Sequence, residues 1–261
     1  MENGTQHQET REVLGKVPAL TLLFWVIKIA ATTLGETAGD AVTMSMNLGY
    51  LVGTVIFLAI FVGAVAAQMK AARFHAPLFW FVIVATTTAG TTLADFFDRS
   101  LGIGYAGGAT VLALLLAGSL MWWQRALGSV AINRITSRKA EVFYWMTIMF
   151  SQTLGTALGD WFADPETGLG LGYQGSAQVF GATLVIVAGL YFWTKVSRTA
   201  LFWAAFILTR PLGATVGDFL DKPVASGGLA LSRYSASACL AVFIVVCIAL
   251  VRQRAERIAV I

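Results

Sequence analysis

Eight stretches of about 20 mostly apolar residues, near 17–39, 48–69, 76–96, 105–124, 141–161, 174–194, 199–219 and 235–252, are joined by connections too short for a separate soluble domain. A run of that length is what a helix needs to cross a bilayer. Lipid satisfies no backbone polar group, so a spanning run of this kind must be helical. The expected fold class is an all-α integral membrane protein with eight transmembrane helices in one membrane domain, 17–252. Short polar ends flank it at 1–16 and 253–261. Composition agrees: 57% of residues are apolar, 26 are glycine, and only 12% are charged, about half the share in soluble domains. A soluble enzyme, a disordered chain and a disulfide scaffold are excluded. Cys239 and Cys247 sit eight apart in one apolar run. On a helix that is about 12 Å, too far for a bridge, so both read as packing thiols. His7 and His75 lie in polar segments and belong to no ligand cluster.

Charge placement predicts orientation. The N-terminus, the even-to-odd connections and the C-terminus hold Arg11, Lys16, Lys70, Arg73, Arg125, Arg134, Arg138, Lys139, Lys195, Arg198, Arg252, Arg254 and Arg257, which is 13 of the 18 basic residues. The odd-to-even connections hold only Arg99, Lys222 and Arg233. By the positive-inside rule both termini face the cytoplasm. The acids collect at the opposite ends of the odd spans: Glu36, Asp40, Asp95, Asp98, Asp160, Asp164, Glu166, Asp218 and Asp221. The first 16 residues lack the basic region and short apolar core of a signal peptide, so the first span is expected to stay as an anchor. The net charge of +4 follows the membrane pattern, and no nucleic-acid partner is expected.

The chain repeats itself four times, at about 17–71, 75–126, 138–196 and 198–252. Each copy opens with an aromatic pair: Phe24-Trp25, Phe79-Trp80, Tyr144-Trp145 and Phe202-Trp203. Fifteen residues after each Trp comes an Asp, at Asp40, Asp95, Asp160 and Asp218, preceded by the octets TLGETAGD, TAGTTLAD, TLGTALGD and PLGATVGD. A Tyr (Tyr50, Tyr105, Tyr173, Tyr234) and a plainly apolar second span follow. Three copies carry a second acid, Asp98, Asp164 or Asp221; the first has Thr43 near that place. A unit that crosses twice must repeat in parallel, about an axis along the membrane normal, unlike the inverted repeats of many transporters.

The Trp-x14-Asp frame and the FWVIK…TTLGETAGD stretch of the first copy resemble a bacterial family of membrane proteins of unknown function, built of four tandem two-span repeats with a characteristic Trp. The resemblance covers nearly all of 17–252. It implies fold and location, and no activity or catalytic residue.

Each octet carries small residues four apart: Gly35 and Gly39, Gly90 and Ala94, Gly155 and Gly159, Gly213 and Gly217. Such faces let helix backbones approach closely in lipid, so the four odd spans are expected to form a tight inner bundle with the even spans outside. Beside this face runs a polar one. Seven residues after each Trp stand Thr32, Thr87, Gln152 and Arg210; four further stand Glu36, Thr91, Thr156 and Ala214; then come the Asp residues. Polar groups at membrane depth face a bundle interior or a wet cavity and mark ion paths. Two readings stand: interhelical hydrogen-bond glue, or a carboxylate-lined vestibule open to the outside. Lys28 breaks the pattern, since Ile83, Ile148 and Phe206 hold its equivalent positions. A direct Lys28–Glu36 pair would have to close about 12 Å of rise and is not expected. Arg210, before the helix-kinking Pro211, is expected to pair with Glu36 or a neighbouring Asp. The four tryptophans, toward the cytoplasmic ends, read as an interfacial belt or as packing.

The function expected from these residues is transport or channelling of a small cation, a divalent metal and proton coupling included. Hard cations take carboxylate, hydroxyl and carbonyl oxygens. The candidate path residues are Glu36, Asp40, Asp95, Asp160, Asp218, Lys28, Thr91, Thr156 and Arg210, with Glu36 and Asp40 as the candidate metal pair. The GETAGD stretch is loosely similar to motifs of membrane exchangers for calcium or manganese. The alternative is a non-transporting accessory or scaffold protein. Neither an enzymatic activity nor a cofactor is expected, because no nucleotide, zinc-protease or nucleophile-elbow motif occurs. The lipid bilayer is the expected partner. Oligomeric state is left open.

Overall fold

A computed structural model describes residues 14–251 and 253–257. Arg11, His7 and Arg252, used above in reading orientation and ligands, lie outside the described residues. Eight long helices follow one another: α1 (Leu22–Asp40), α2 (Gly49–Lys70), α3 (Ala76–Asp95), α4 (Tyr105–Leu127), α5 (Arg138–Ala163), α6 (Gly172–Trp193), α7 (Arg198–Asp221) and α8 (Arg233–Leu250). Seven are long and apolar enough to cross a membrane. The exception, α5, carries Ser151, Gln152 and Thr153 at mid-length and charges in its first turn.

Two boundaries differ from the sequence expectation. The first span does not begin at 17: Leu14–Pro18 form strand β1, and α1 starts at Leu22, where the Thr21 hydroxyl accepts the Phe24 N–H at 3.3 Å. The polar ends are not simple tails either. β1 pairs antiparallel with β2 (Ala255–Arg257), and Lys16 reaches Glu141 at 2.8 Å. Residues 98 and 99, expected in a loop, continue the span of α3 as a π-helical turn (Phe96–Ser100); a second π turn (Ala41–Ser45) follows α1.

The odd helices form a closed ring in the order α1, α3, α5, α7, each packed on the next and α7 on α1. Each even helix covers the odd helix of the following copy: α2 lies on α3, α4 on α5, α6 on α7, and α8 on α1. Burial divides accordingly, with the odd helices largely inside and the even helices largely exposed. The small-residue faces explain the ring. A Cβ on Gly35 would overlap Thr87 of the next helix, one on Gly90 would meet Gln152, one on Gly155 would meet Arg210, and one on Gly213 would meet Thr32. Four equivalent contacts run in the same sense around the circle. One turn on, Gly39 faces Thr91, Gly159 faces Ala214, and Gly217 faces Glu36. The common direction of the offset makes all four odd helices parallel. The polar face of each helix thus packs into the small face of its neighbour.

At the other end the aromatic pairs close a second ring. Phe24 packs on Trp80 at 5.4 Å, Phe79 on Trp145 at 6.0 Å, Tyr144 on Trp203 at 6.3 Å, and Phe202 on Trp25 at 6.1 Å. Trp80, Trp145 and Trp203 are buried, so these tryptophans are core packing and not a lipid-facing belt. Their rings bury the large apolar area that anchors a core. Of the two cysteines, Cys247 is half-buried and Cys239 is exposed.

The packing of small faces has a direct consequence. Gly155→Leu and Gly213→Leu should eliminate the monodisperse folded species in detergent. Gly63→Leu, on an exposed face of α2 with nothing within 4 Å of the added carbon, should change unfolding free energy by no more than about 0.5 kcal/mol. Size-exclusion chromatography and thermal unfolding distinguish the three.

Candidate functional site

The sequence places polar residues of the odd helices at three levels, four at the first and third and three at the second, where α7 has Ala214, and the ring turns these levels toward its axis. At the first level Thr32, Thr87, Gln152 and Arg210 are fully buried. The hydroxyls tie neighbouring helices: Thr32 donates to the Thr209 carbonyl at 3.0 Å and Thr87 to the Ala31 carbonyl at 3.2 Å. Gln152 Nε2 and Oε1 and Arg210 Nε and Nη1 make no hydrogen bond among the described residues.

At the second level one guanidinium joins all four helices. Arg210 Nη2, from α7, donates to Glu36 Oε2 of α1 at 2.9 Å, to Thr91 Oγ1 of α3 at 2.5 Å and to Thr156 Oγ1 of α5 at 2.5 Å. The single Thr91 hydroxyl proton has three acceptors in reach: the Thr87 carbonyl at 3.1 Å, and Glu36 Oε2 and the Gly35 carbonyl at 3.3 Å each. The pairing of Arg210 with Glu36 is the one expected. α7 runs through Pro211 without a break.

At the third level stand Asp40, Asp95, Asp160 and Asp218, all buried. The expected outward-opening vestibule is closed here. Arg99 bridges Asp95 at 3.0 Å and Asp160 at 3.3 Å. Lys222 bridges Asp218 at 3.0 Å and also contacts Asp40. Arg233 pairs with Asp221 at 2.9 Å and lies 3.8 Å from Asp40. These three bases are the ones that the charge tally sets apart on the acidic side. Each is held there by a carboxylate of the cluster. The sequence signal for two of them is the i,i+4 spacing from the Asp: Asp95 to Arg99 and Asp218 to Lys222. The corresponding positions in the first and third copies are Met44 and Asp164.

Two further residues fall differently from expectation. Asp98 is buried, not in an exposed loop, and its carboxylate lies against Gly108 of α4. Asp164 is peripheral; it accepts the backbone N–H groups of Glu166 and Thr167 at 2.9 and 2.7 Å and so shapes a turn.

Lys28 lies below the three levels and is fully buried. It does not pair with Glu36. Its ammonium donates to Thr209 Oγ1 at 3.4 Å and sits 4.2 Å from the centre of the Phe206 ring, a cation–π contact. No carboxylate lies within ion-pair distance of it among the described residues. Two apolar grooves, of about 790 and 610 Å³, open on the outer sides of the ring, between α3 and α8 and between α1, α6 and α7. The second reaches Thr209, the partner of Lys28.

The odd helices therefore carry an axial column: aspartates with two bridging cations, then the Glu36–Arg210 pair, then Lys28. Oxygen atoms of Glu36, Asp40 and Asp218 come within 4.8 Å of one another, close enough to share one metal ion. The candidate metal pair thus gains Asp218 from α7, a residue that sequence spacing places on the other side of the repeat.

The strength of the Arg210–Glu36 contact can be measured. Arg210→Met leaves Glu36 buried without its cation and should cost about 3–5 kcal/mol. The Arg210→Met/Glu36→Met double variant should recover most of that loss. A double-mutant cycle by thermal unfolding in detergent reads the difference.

The chain matches the repeat of unknown function DUF347 four times, at residues 23–74, 78–128, 143–197 and 201–256. No curated protein and no solved structure matches it significantly. Each match takes in one aromatic pair, one octet with its Asp and the even helix that follows. With four matches spanning most of its length, the chain belongs to the DUF347 repeat family.

Proposed function

We propose that the protein carries a small cation across a membrane, by exchange with protons or alone, along the axis of the odd-helix ring. One observation supports this above the rest. Ionisable side chains follow one another down the axis of a parallel ring, and the deepest of them, Lys28, has no carboxylate partner among the described residues. A charge at that depth costs about 2.5–3.5 kcal/mol on insertion scales, and structural glue has no use for one that stays unpaired. Lys28 differs from Arg210 in kind, because an amine can give up and take a proton and a guanidinium cannot. In this reading the eight helices all span a bacterial inner membrane, with the aromatic ends and both termini on the cytoplasmic side. The conformation described is closed, and the cation path opens when the bridges of Arg99 and Lys222 part.

A second reading, an accessory or scaffold protein, is favoured by the closure itself. Glu36 and Lys28 are shut off from solvent, and the threonine hydroxyls are satisfied by backbone carbonyls of neighbouring helices. Under it, flux is absent.

Reconstitution into liposomes decides between them. Flux of Mn²⁺, Ca²⁺, Na⁺ and K⁺ is measured with and without a pH gradient. Glu36→Gln should abolish flux while the protein still folds, because the amide oxygen continues to accept from Arg210. Glu166→Gln, on an exposed turn, should retain full flux. Should Glu36→Gln conduct normally, or should flux and thermal stability fall together, the axial assignment fails. Labelling of single cysteines placed within 125–139 should report accessibility from the cytoplasmic side; labelling from outside would reverse the orientation.

A further inference from the structure

We infer that Lys222 is a tethered cation standing in the site that the transported ion takes, a site formed by Glu36, Asp40 and Asp218. This rests on the reading of the axis as a cation path and names the place where the ion binds. The four aspartates do not form a uniform ring. Arg99 joins Asp95 to Asp160, and Lys222 joins Asp218 to Asp40. The cluster is thereby divided into two clamped pairs, α3 with α5 and α7 with α1, with no bridge between Asp40 and Asp95 or between Asp160 and Asp218 among the described residues.

The two clamps are chemically unlike. Arg99 presents a planar fork that fits two carboxylates at once, and it lies near the Tyr50 and Tyr105 rings at 5.8 and 5.9 Å. Lys222 presents a compact point charge on a flexible stem, which another compact cation can replace. The environments differ too. Below Arg99 the next level holds Thr91 and Thr156, both neutral. Below Lys222 it holds Glu36, so three carboxylates converge there, with one oxygen of each within 4.8 Å of the others. Asp40 Oδ1, in a residue only 1% exposed, makes no hydrogen bond among the described residues. A hard divalent cation, which prefers several carboxylate oxygens, is served by the Lys222 side and not by the Arg99 side. Binding displaces the ammonium toward solvent; Lys222 directly follows Asp221, the last residue of α7.

The test uses the full chain in detergent, with Mn²⁺ and Ca²⁺ as probes and the thermal unfolding midpoint as readout. A ligand that binds only the folded state raises that midpoint by mass action. Lys222→Gln should lower the midpoint in metal-free buffer. Either ion should then raise it, at a concentration about tenfold below that which acts on the unaltered protein. Asp218→Asn in the Lys222→Gln background should remove the response. Arg99→Gln should lower the midpoint and gain no response. Lys222→Arg keeps a cation in the clamp and should lose the weak response of the unaltered protein. The inference is overturned if Lys222→Gln responds no better than the unaltered protein, if Arg99→Gln gains as much, or if Lys222→Arg responds undiminished. Liposome flux separates the two levels of the argument. Ion binding without flux ends the transport reading and leaves the site. Flux with no ion response in any variant ends the site and leaves transport.

Discussion

The guanidinium of Arg210, carried by α7, contacts the other three odd helices, and the geometry of the ring depends on its being reachable. A single nitrogen bonds to Glu36, Thr91 and Thr156 only because the helix axes approach closely. That approach is set by glycine. Arg210's own stem lies over Gly155, where a Cβ would overlap it. The small faces and the polar faces are therefore one device. A glycine on one helix makes room for the stalk of a polar side chain on the next, and the head of that side chain then reaches the axis.

The same device, repeated four times, accounts for the closed form of the molecule. Each helix offers its small face on one side and its polar face on the other, so a parallel set can continue only around a circle, and four copies close it. The aromatic pairs apply the same logic at the opposite end, each first ring packing against the Trp of the next copy. The even helices follow suit by covering the next odd helix instead of their own. As a result the last of them, α8, lies on α1 and brings β2 beside β1. A single two-helix repeat buries neither of its faces alone, as expected for repeat architectures.

Much of this was legible in the sequence, for a definite reason. Periodicity reports which residues share a face, so the small stripe, the polar stripe and the inner position of the odd spans could all be read from spacing. Spacing does not report which element covers a face, and it left open that α2 would lie on α3. It also places residues along a helix axis and not across a ring, which is why Asp218 joins the candidate path but not the metal pair of Glu36 and Asp40. Arg99 and Lys222 were counted as loop charges, although their i,i+4 offset from an Asp was available. Asp98 was read as a loop acid because nothing in the sequence marks a π turn that prolongs the span of α3. The start of α1 was placed five residues early because Val17 to Leu20 are apolar, yet they serve β1 and the turn after it.

The third helix lacks the charges that α1 and α7 carry inside the ring. At the levels of Lys28, Arg210 and Glu36, α3 carries Ile83, Thr87 and Thr91. It packs into the ring through the same glycine contacts and through hydroxyl bonds to carbonyls of α1. α3 therefore takes its place in the ring without a charge of its own between the aromatic layer and the aspartates. The charges that depart from this pattern are not scattered. Lys28 and Glu36 belong to α1, Arg210 belongs to α7, and Lys222 clamps the aspartates of these same two helices. Of four equivalent interfaces, the one where the first and last odd helices meet has gathered Glu36, Arg210 and Lys28, below an aspartate level where Arg99 and Lys222 each clamp one pair. Replacing a buried ionic group by apolar residues is often neutral or stabilising, so such a column is weak evidence for stability. Under the proposed transport reading, the cation path runs along the interface of α1 and α7.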